Sequence, residues 1–166
     1  MALKKSAPPS SPVPAQADAL RRALRYLGYR PRSETEIRDY LRRRGHSREV
    51  AEQVLEKLRS LRYIDDESFA RNWAMSKTRN RAYGPDRIAR ELRAKGIAAE
   101  LIRQILRDIF GRCDEKTQAQ RLLAKRFGGE DLRDLKTLRR AAAFLQRRGY
   151  SNAVISELLR NPDGEE

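Results

Sequence analysis

The amino-acid sequence predicts an all-α protein: three tandem three-helix repeats forming an elongated, curved helical array. Three observations carry that prediction. Nearly the same phrase occurs three times, as RRRGHSREVAEQVL at 42–55, RAKGIAAELIRQIL at 93–106 and QRRGYSNAVISELL at 146–159. A period of roughly 50 residues marks an array of like units rather than one irregular domain. Within and around the phrase, apolar residues fall four apart on one face, and no stretch alternates as a half-buried strand would. Finally, the chain is 39% hydrophobic and 36% charged, a balance that suits slender units with much surface for little core.

The segments follow in order. Residues 1–16 hold four prolines (Pro8, Pro9, Pro12, Pro14) among small polar residues, which predicts a disordered proline-rich arm. Repeat 1 covers 17–64, repeat 2 covers 65–111, repeat 3 covers 112–160, and 161–166 form a tail. The first helix of each repeat is read from Leu20, Ala23, Leu24 and Leu27, from Phe69, Ala70 and Trp73, and from Ala119, Leu122, Leu123 and Phe127. The second helices carry Ile37/Leu41 and Ile88/Leu92, with Leu138, Ala142 and Leu145 in the third repeat. The third helices carry Val50/Val54, Leu101/Ile105 and Val154/Leu158.

Each boundary has a chemical reason. The second helix of every repeat ends in Arg or Lys, which favours the negative end of the helix dipole. Gly45, Gly96 and Gly149 follow, where a left-handed residue would terminate the helix. Ser47 and Ser151 then cap the next helix, whereas Ala98 gives up that cap in repeat 2. Ser33 and Glu36 have the spacing of a capping box, Asp65 or Asp66 caps the fourth helix, and Gly84-Pro85 places proline in a tolerant first turn. Asn161-Pro162 closes the last helix. The long connection runs from Gly128 to Lys136.

Charge narrows the function. Lys and Arg number 37 against 23 acids, a net +14 that calls for a polyanionic or acidic partner. The excess sits on the second helices: Arg38, Arg42, Arg43 and Arg44, then Arg87, Arg90, Arg93 and Lys95, then Arg139, Arg140, Arg147 and Arg148. Any one of these is at home on a solvated helix face. Three equivalent basic helices beside less basic neighbours point to contact with a polyanion or an acidic surface. The third helix of repeat 1, by contrast, brings Glu49, Glu52 and Glu56, which would repel phosphates in a helix-turn-helix complex.

Other classes drop out. No stretch could span a bilayer, the arm has no apolar run of signal-peptide length, and one cysteine, Cys113, fits a reducing cytoplasm. There is no phosphate loop, no Cys/His metal set and no nucleophile–base–acid set, so the expectation is a protein without catalytic residues, cofactor or metal. His46, the single histidine, occupies the repeated turn where Ile97 and Tyr150 stand in the other copies, and reads as a partly packed turn residue. Cys113 opens the seventh helix with no evident base. Asp65, Asp66 and Glu67 read as capping and first-turn acids rather than as a metal cluster.

Y-I-D-D-E-S-F-A at 63–70, Arg79, and G-P-D-R-I-A-R-E-L-R-A-K-G-I at 84–97 resemble the RecX family of bacterial recombination regulators. SETEIRDYLRRRG in the first repeat and FLQRRGYS in the third resemble that family's outer repeats, so the likeness runs from Ala17 to Leu159. The resemblance implies a modulator of the RecA recombinase that binds along the helical groove of its filament on single-stranded DNA. It would restrain filament growth, strand exchange, ATP hydrolysis and co-protease activity. The matching residues Tyr63, Ile64, Asp65, Phe69, Gly84, Pro85, Ile88, Leu92, Gly96 and Ile97 read as caps, turns and core, and the family has no catalytic residues to transfer. The expected partner-binding residues are therefore the basic ones: Arg38, Arg42, Arg43, Arg87, Arg90, Arg93, Lys95, Arg140, Arg147 and Arg148. The expected partners are the RecA filament and, weakly and salt-dependently, DNA, with no membrane and the protein a monomer. The alternative is a nucleic-acid-binding module that competes with RecA for DNA.

Overall fold

The computed structural model describes residues 12–112 and 115–160; Cys113, residues 1–11 of the arm and the 161–166 tail, with its Asn161-Pro162 stop, lie outside the described residues. Nine helices and no strand occur among the described residues: α1 (Pro12–Tyr29), α2 (Glu34–Arg43), α3 (Arg48–Ser60), α4 (Asp66–Arg81), α5 (Pro85–Ala94), α6 (Ala99–Arg112), α7 (Glu115–Phe127), α8 (Leu135–Arg148) and α9 (Asn152–Arg160). α1 begins inside the expected disordered arm, so residues 12–16 are helical. The reason is positional. Pro12 and Pro14 fall in the first turn, whose amides have no intrahelical acceptor, so the missing proline N–H groups cost nothing there.

The three repeated turns are built alike. Gly45, Gly96 and Gly149 have φ of +86°, +77° and +86°. In each copy the glycine N–H donates three residues back, to the carbonyls of Arg42, Arg93 and Gln146 at 2.9–3.0 Å. The next N–H, of His46, Ile97 and Tyr150, donates five residues back to Leu41, Leu92 and Leu145 at 3.1–3.2 Å. This double closure satisfies the last helical carbonyls, and the left-handed residue it demands is disfavoured for any side chain with a Cβ. Ser47 and Ser151 cap as expected, accepting from the amides of Val50 at 3.3 Å and Val154 at 3.4 Å. Ser33 and Glu36 form the complete capping box. Between the two candidate caps of α4, Asp65 takes the role by accepting from the Glu67 and Ser68 amides. Asp66 instead accepts from the amide of Glu34 at the start of α2, 2.9 Å away.

The described residues divide into two compact units, one up to Phe69 and one from Ala70 onward, with the division inside α4. In the first unit α1, α2 and α3 enclose Ala19, Ala23, Ile37, Leu41, Val54, Leu55 and Leu58. Tyr26 and Tyr40 stack at 4.1 Å beside that core, and the Arg32 guanidinium covers Tyr26 at 3.9 Å. Leu24, read from sequence as core, is exposed, because the alanines on the neighbouring face allow the closest approach of α1. In the second unit Ile88, Leu92, Ile102 and Ile105 are buried where α5 meets α6. α7, α8 and α9 enclose Ala119, Leu123, Phe127, Ala141, Leu145, Ile155 and Leu158. The buried line of α8 is Thr137–Ala141–Leu145, so Leu138 and Ala142 stand one residue off the expected register and are half-buried. Within this unit the start of α5 abuts the end of α8. The amide of Gly84 donates to the carbonyl of Arg148 at 2.9 Å, and that of Asp86 to the carbonyl of Gly149 at 3.0 Å.

Candidate functional site

The basic residues expected to meet a partner divide by what already holds them. Arg38 grips Glu52 from α2 to α3, Nε to Oε1 at 2.6 Å, and the guanidinium holds the Glu52 carboxyl below its ordinary range. Arg42 lies 3.2 Å from Asp39, and Arg140 lies 2.7 Å from Glu130. Arg87 stacks on Tyr83 at 3.8 Å and donates to the carbonyl of Arg147 at 3.0 Å. Arg148 donates to the carbonyl of Arg81 and covers Phe144 at 5.3 Å, and Lys95 lies over the Trp73 ring at 4.1 Å. Arg38, Arg87, Arg140, Arg148 and Lys95 thus tie one element to another, whereas Arg42 pairs only within its own helix and stays exposed. Arg43, Arg90, Arg93 and Arg147 are exposed, with no carboxylate within ion-pair distance among the described residues. Their charge faces solvent.

The acids of α3 are also engaged at home. Glu52 is held by Arg38 and Glu56 by Arg59, which reaches Glu34 as well at 2.6 Å. Glu49 remains exposed at the helix start.

A second basic region lies in the second unit and was not anticipated. A cleft of about 1010 Å³ opens between α4, α6, α7 and α8. Arg79, Arg81, Arg121, Lys125 and Arg126 stand around it, each exposed. Its floor is apolar, formed by Met75, Ile109, Leu122 and Phe144. An adjoining cleft of about 640 Å³ shares Arg126 and Phe144 and adds Lys136, Arg139, Arg140 and Arg147. The structure thus brings Arg140, Arg147 and Arg148 to this basic region, while α4 and α7 supply cations that the count on second helices passed over. The signal was present as Arg121/Lys125, four apart on α7, and as Arg79 and Arg81 at the end of α4.

No group of three or more His, Cys, Asp or Glu side chains among the described residues is placed to hold a metal. His46 is 11% exposed at its side chain, with Nε2 buried, lacking a hydrogen-bond partner and 3.7 Å from Asp18. Among the described residues no helix is long and apolar enough to cross a membrane.

These features define an all-α protein of tandem three-helix repeats with cationic surfaces. Sequence models of the RecX family match all three repeats in order: the first three-helix domain at residues 19–58, the second at 65–106 and the third at 114–159. The chain is 35% identical over 156 residues to the regulatory protein RecX of Mycobacterium leprae, covering 93% of this chain and 91% of that one. It is 34% identical over 163 residues to that of Streptomyces lividans, covering 98% and 85%. The fold matches a crystal structure of RecX from Lactobacillus salivarius with a TM-score of 0.77 at 21% identity, over 91% of this chain and 98% of that one. A second crystal structure of a regulatory protein RecX aligns with a TM-score of 0.74 at 28% identity, over 89% and 73%. The chain belongs to the RecX family of regulatory proteins.

Proposed function

We propose that this protein regulates the RecA recombinase, mainly as an inhibitor, by binding in the groove of the RecA filament on single-stranded DNA. Bound there it restrains filament growth, strand exchange and ATP hydrolysis. It acts in the cytoplasm as a monomer, by occupancy and charge rather than by catalysis. The observation that carries the reading is the ordered match of all three RecX domains across residues 19–159. Arg43, Arg90, Arg93 and Arg147, exposed and without a carboxylate partner among the described residues, support an electrostatic contact.

The test is inhibition of DNA-dependent ATP hydrolysis by RecA filaments formed before this protein is added. Inhibition that survives excess free DNA, and is lost in Arg90→Glu/Arg93→Glu, is the expected result. Both side chains are exposed, so the substitution should leave the fold intact. A wild-type protein that fails on preformed filaments, with activity rescued by excess DNA, would establish competition for DNA instead.

A further inference from the structure

The cleft of the second unit has a chemistry of its own, and we propose that it is a docking site for an acidic peptide segment carrying apolar anchor residues. The site is independent of whether the regulated filament is that of RecA. Five cations on its rim, Arg79, Arg81, Arg121, Lys125 and Arg126, have no carboxylate within ion-pair distance among the described residues. The one acid in the lining, Asp108, is held by Arg71 at 3.1 Å. Unpaired like charges gathered around a concavity repel one another, so an anionic occupant gains from every one of them.

The floor decides which anion. Met75, Ile109, Leu122 and Phe144 are the half-buried apolar part of the lining, and Arg79, Arg81, Arg121, Lys125 and Arg126 are its exposed cations. Phosphates gain nothing from such a floor; leucine or phenylalanine side chains do, by leaving water for it. A single nucleic-acid strand would instead need open aromatic faces on which bases stack. Phe144 is the one aromatic in the lining, and it is occupied: Phe127 meets it edge-on at 5.7 Å and 69°, and the Arg148 guanidinium covers it at 5.3 Å. An amphipathic acidic segment answers both features, with apolar anchors on the floor and carboxylates on the rim. This is the charged version of the groove recognition in which spaced side chains of a helix fill a hydrophobic trough.

The experiment is fluorescence anisotropy with the full chain and three labelled probes. The first is a peptide of about 12 residues, Asp and Glu interspersed with Leu and Phe at the i, i+3, i+4, i+7 spacing of groove-binding helices. The second has the same acids with Ser in place of the apolar residues. The third is an oligothymidylate of equal charge. The first probe should bind at least about tenfold more tightly than the other two, a difference of about 1.4 kcal/mol. Arg121→Glu/Lys125→Glu should weaken it by a further tenfold or so, with Arg121→Gln/Lys125→Gln as the milder pair if charge reversal unfolds α7. Met75→Gln keeps the side-chain length but not the apolar character, and should weaken the first probe while leaving the second unchanged. Equal binding of the first two probes, tighter binding of the oligonucleotide, or no binding of the first probe would overturn the proposal.

Discussion

Gly84 and Gly149 touch through their backbones where the N-terminus of α5 meets the C-terminus of α8. A Cβ built on Gly84 would lie 2.6 Å from the carbonyl carbon of Gly149 and 2.7 Å from the amide nitrogen of Tyr150, and would collide with the Gly149 carbonyl oxygen. One built on Gly149 would lie 2.9 Å from Cα of Arg87. Gly84 caps α5 without a side chain. The free carbonyls at the end of α8 supply the acceptors instead, and the opposed helix-dipole ends attract.

Gly84→Ala should therefore destabilise by about 1–3 kcal/mol through overpacking against backbone that cannot rotate away. Gly149→Ala should cost more, adding a left-handed residue to the clash. Gly45→Ala is the control, since it has the same φ of +86° but nothing within 4 Å of its Cβ, and should lose about 1–2 kcal/mol from conformation alone. Urea unfolding of the three variants measures the order; a Gly84→Ala protein as stable as wild type would show that α5 and α8 can separate without loss.

Asp65 caps α4, and a hydrogen bond from the Ser68 hydroxyl, with the amides of Ser68 and Glu67, holds its carboxyl below the ordinary range. A depressed folded value means that the stabilisation is complete above the unfolded value near 4 and is lost as pH falls through the lower folded one. Asp65→Ala should cost about 1 kcal/mol at neutral pH. Asp65→Asn keeps the acceptor, so its deficit at neutral pH should be smaller and should shrink as the solution is acidified below pH 4. A deficit that grows in acid would contradict the assignment.

The sequence made the helices, their caps and their turns legible because those depend on residues a few positions apart. Gly96, Ser33, Asp65 and Pro85 each act within one turn. Gly84 was read only as the partner of Pro85, since its close approach to Gly149 joins positions far apart in the chain. Leu145 is buried as expected, but the use of Thr137 and Ala141 in place of Leu138 and Ala142 was hidden for a related reason. Leucine predicts a buried face, but small residues are what let α8 lie close to α7 and α9. For the site, charge counting singled out the second helices and passed over the cations of α4 and α7. It could not say that Arg38, Arg87 and Arg148 are held within the fold, nor that Arg121 and Lys125 line one cleft with Arg79 and Arg81.

Tyr150 follows the third turn glycine and is 2% exposed, with its hydroxyl donating to the carbonyl of Ala82 at 3.2 Å. Burial, with the Glu115 carboxylate adding to it, pushes the phenol up to about 12. A raised folded value means that this contribution to stability is intact below the unfolded value near 10 and is lost as pH rises to about 12. Ultraviolet titration should show one of the six tyrosines ionising late, together with loss of helicity. Tyr150→Phe should abolish the late step and cost about 1 kcal/mol for the hydrogen bond. A normal phenol at this position would mean that the turn opens to water.

His46 stands at the same step of the repeated turn as Ile97 and Tyr150, and its N–H closes the turn on Leu41 as theirs close on Leu92 and Leu145. The backbone therefore asks for an apolar side chain here, packed under the turn. Histidine supplies one whose Nε2 is buried and has no hydrogen-bond partner, with Asp18 at 3.7 Å, beyond hydrogen-bond reach and itself held by Arg22 and Arg21. A buried polar nitrogen left without a partner costs about 1–3 kcal/mol. His46→Leu removes that cost and matches the local shape of the other two turns, so it should raise the melting temperature by several degrees. Because Asp18 keeps both arginine partners, no new unpaired charge arises. A lower melting temperature in His46→Leu would mean that the histidine and Asp18 close into a working pair, and that the first turn is held by charge where the other two are held by packing.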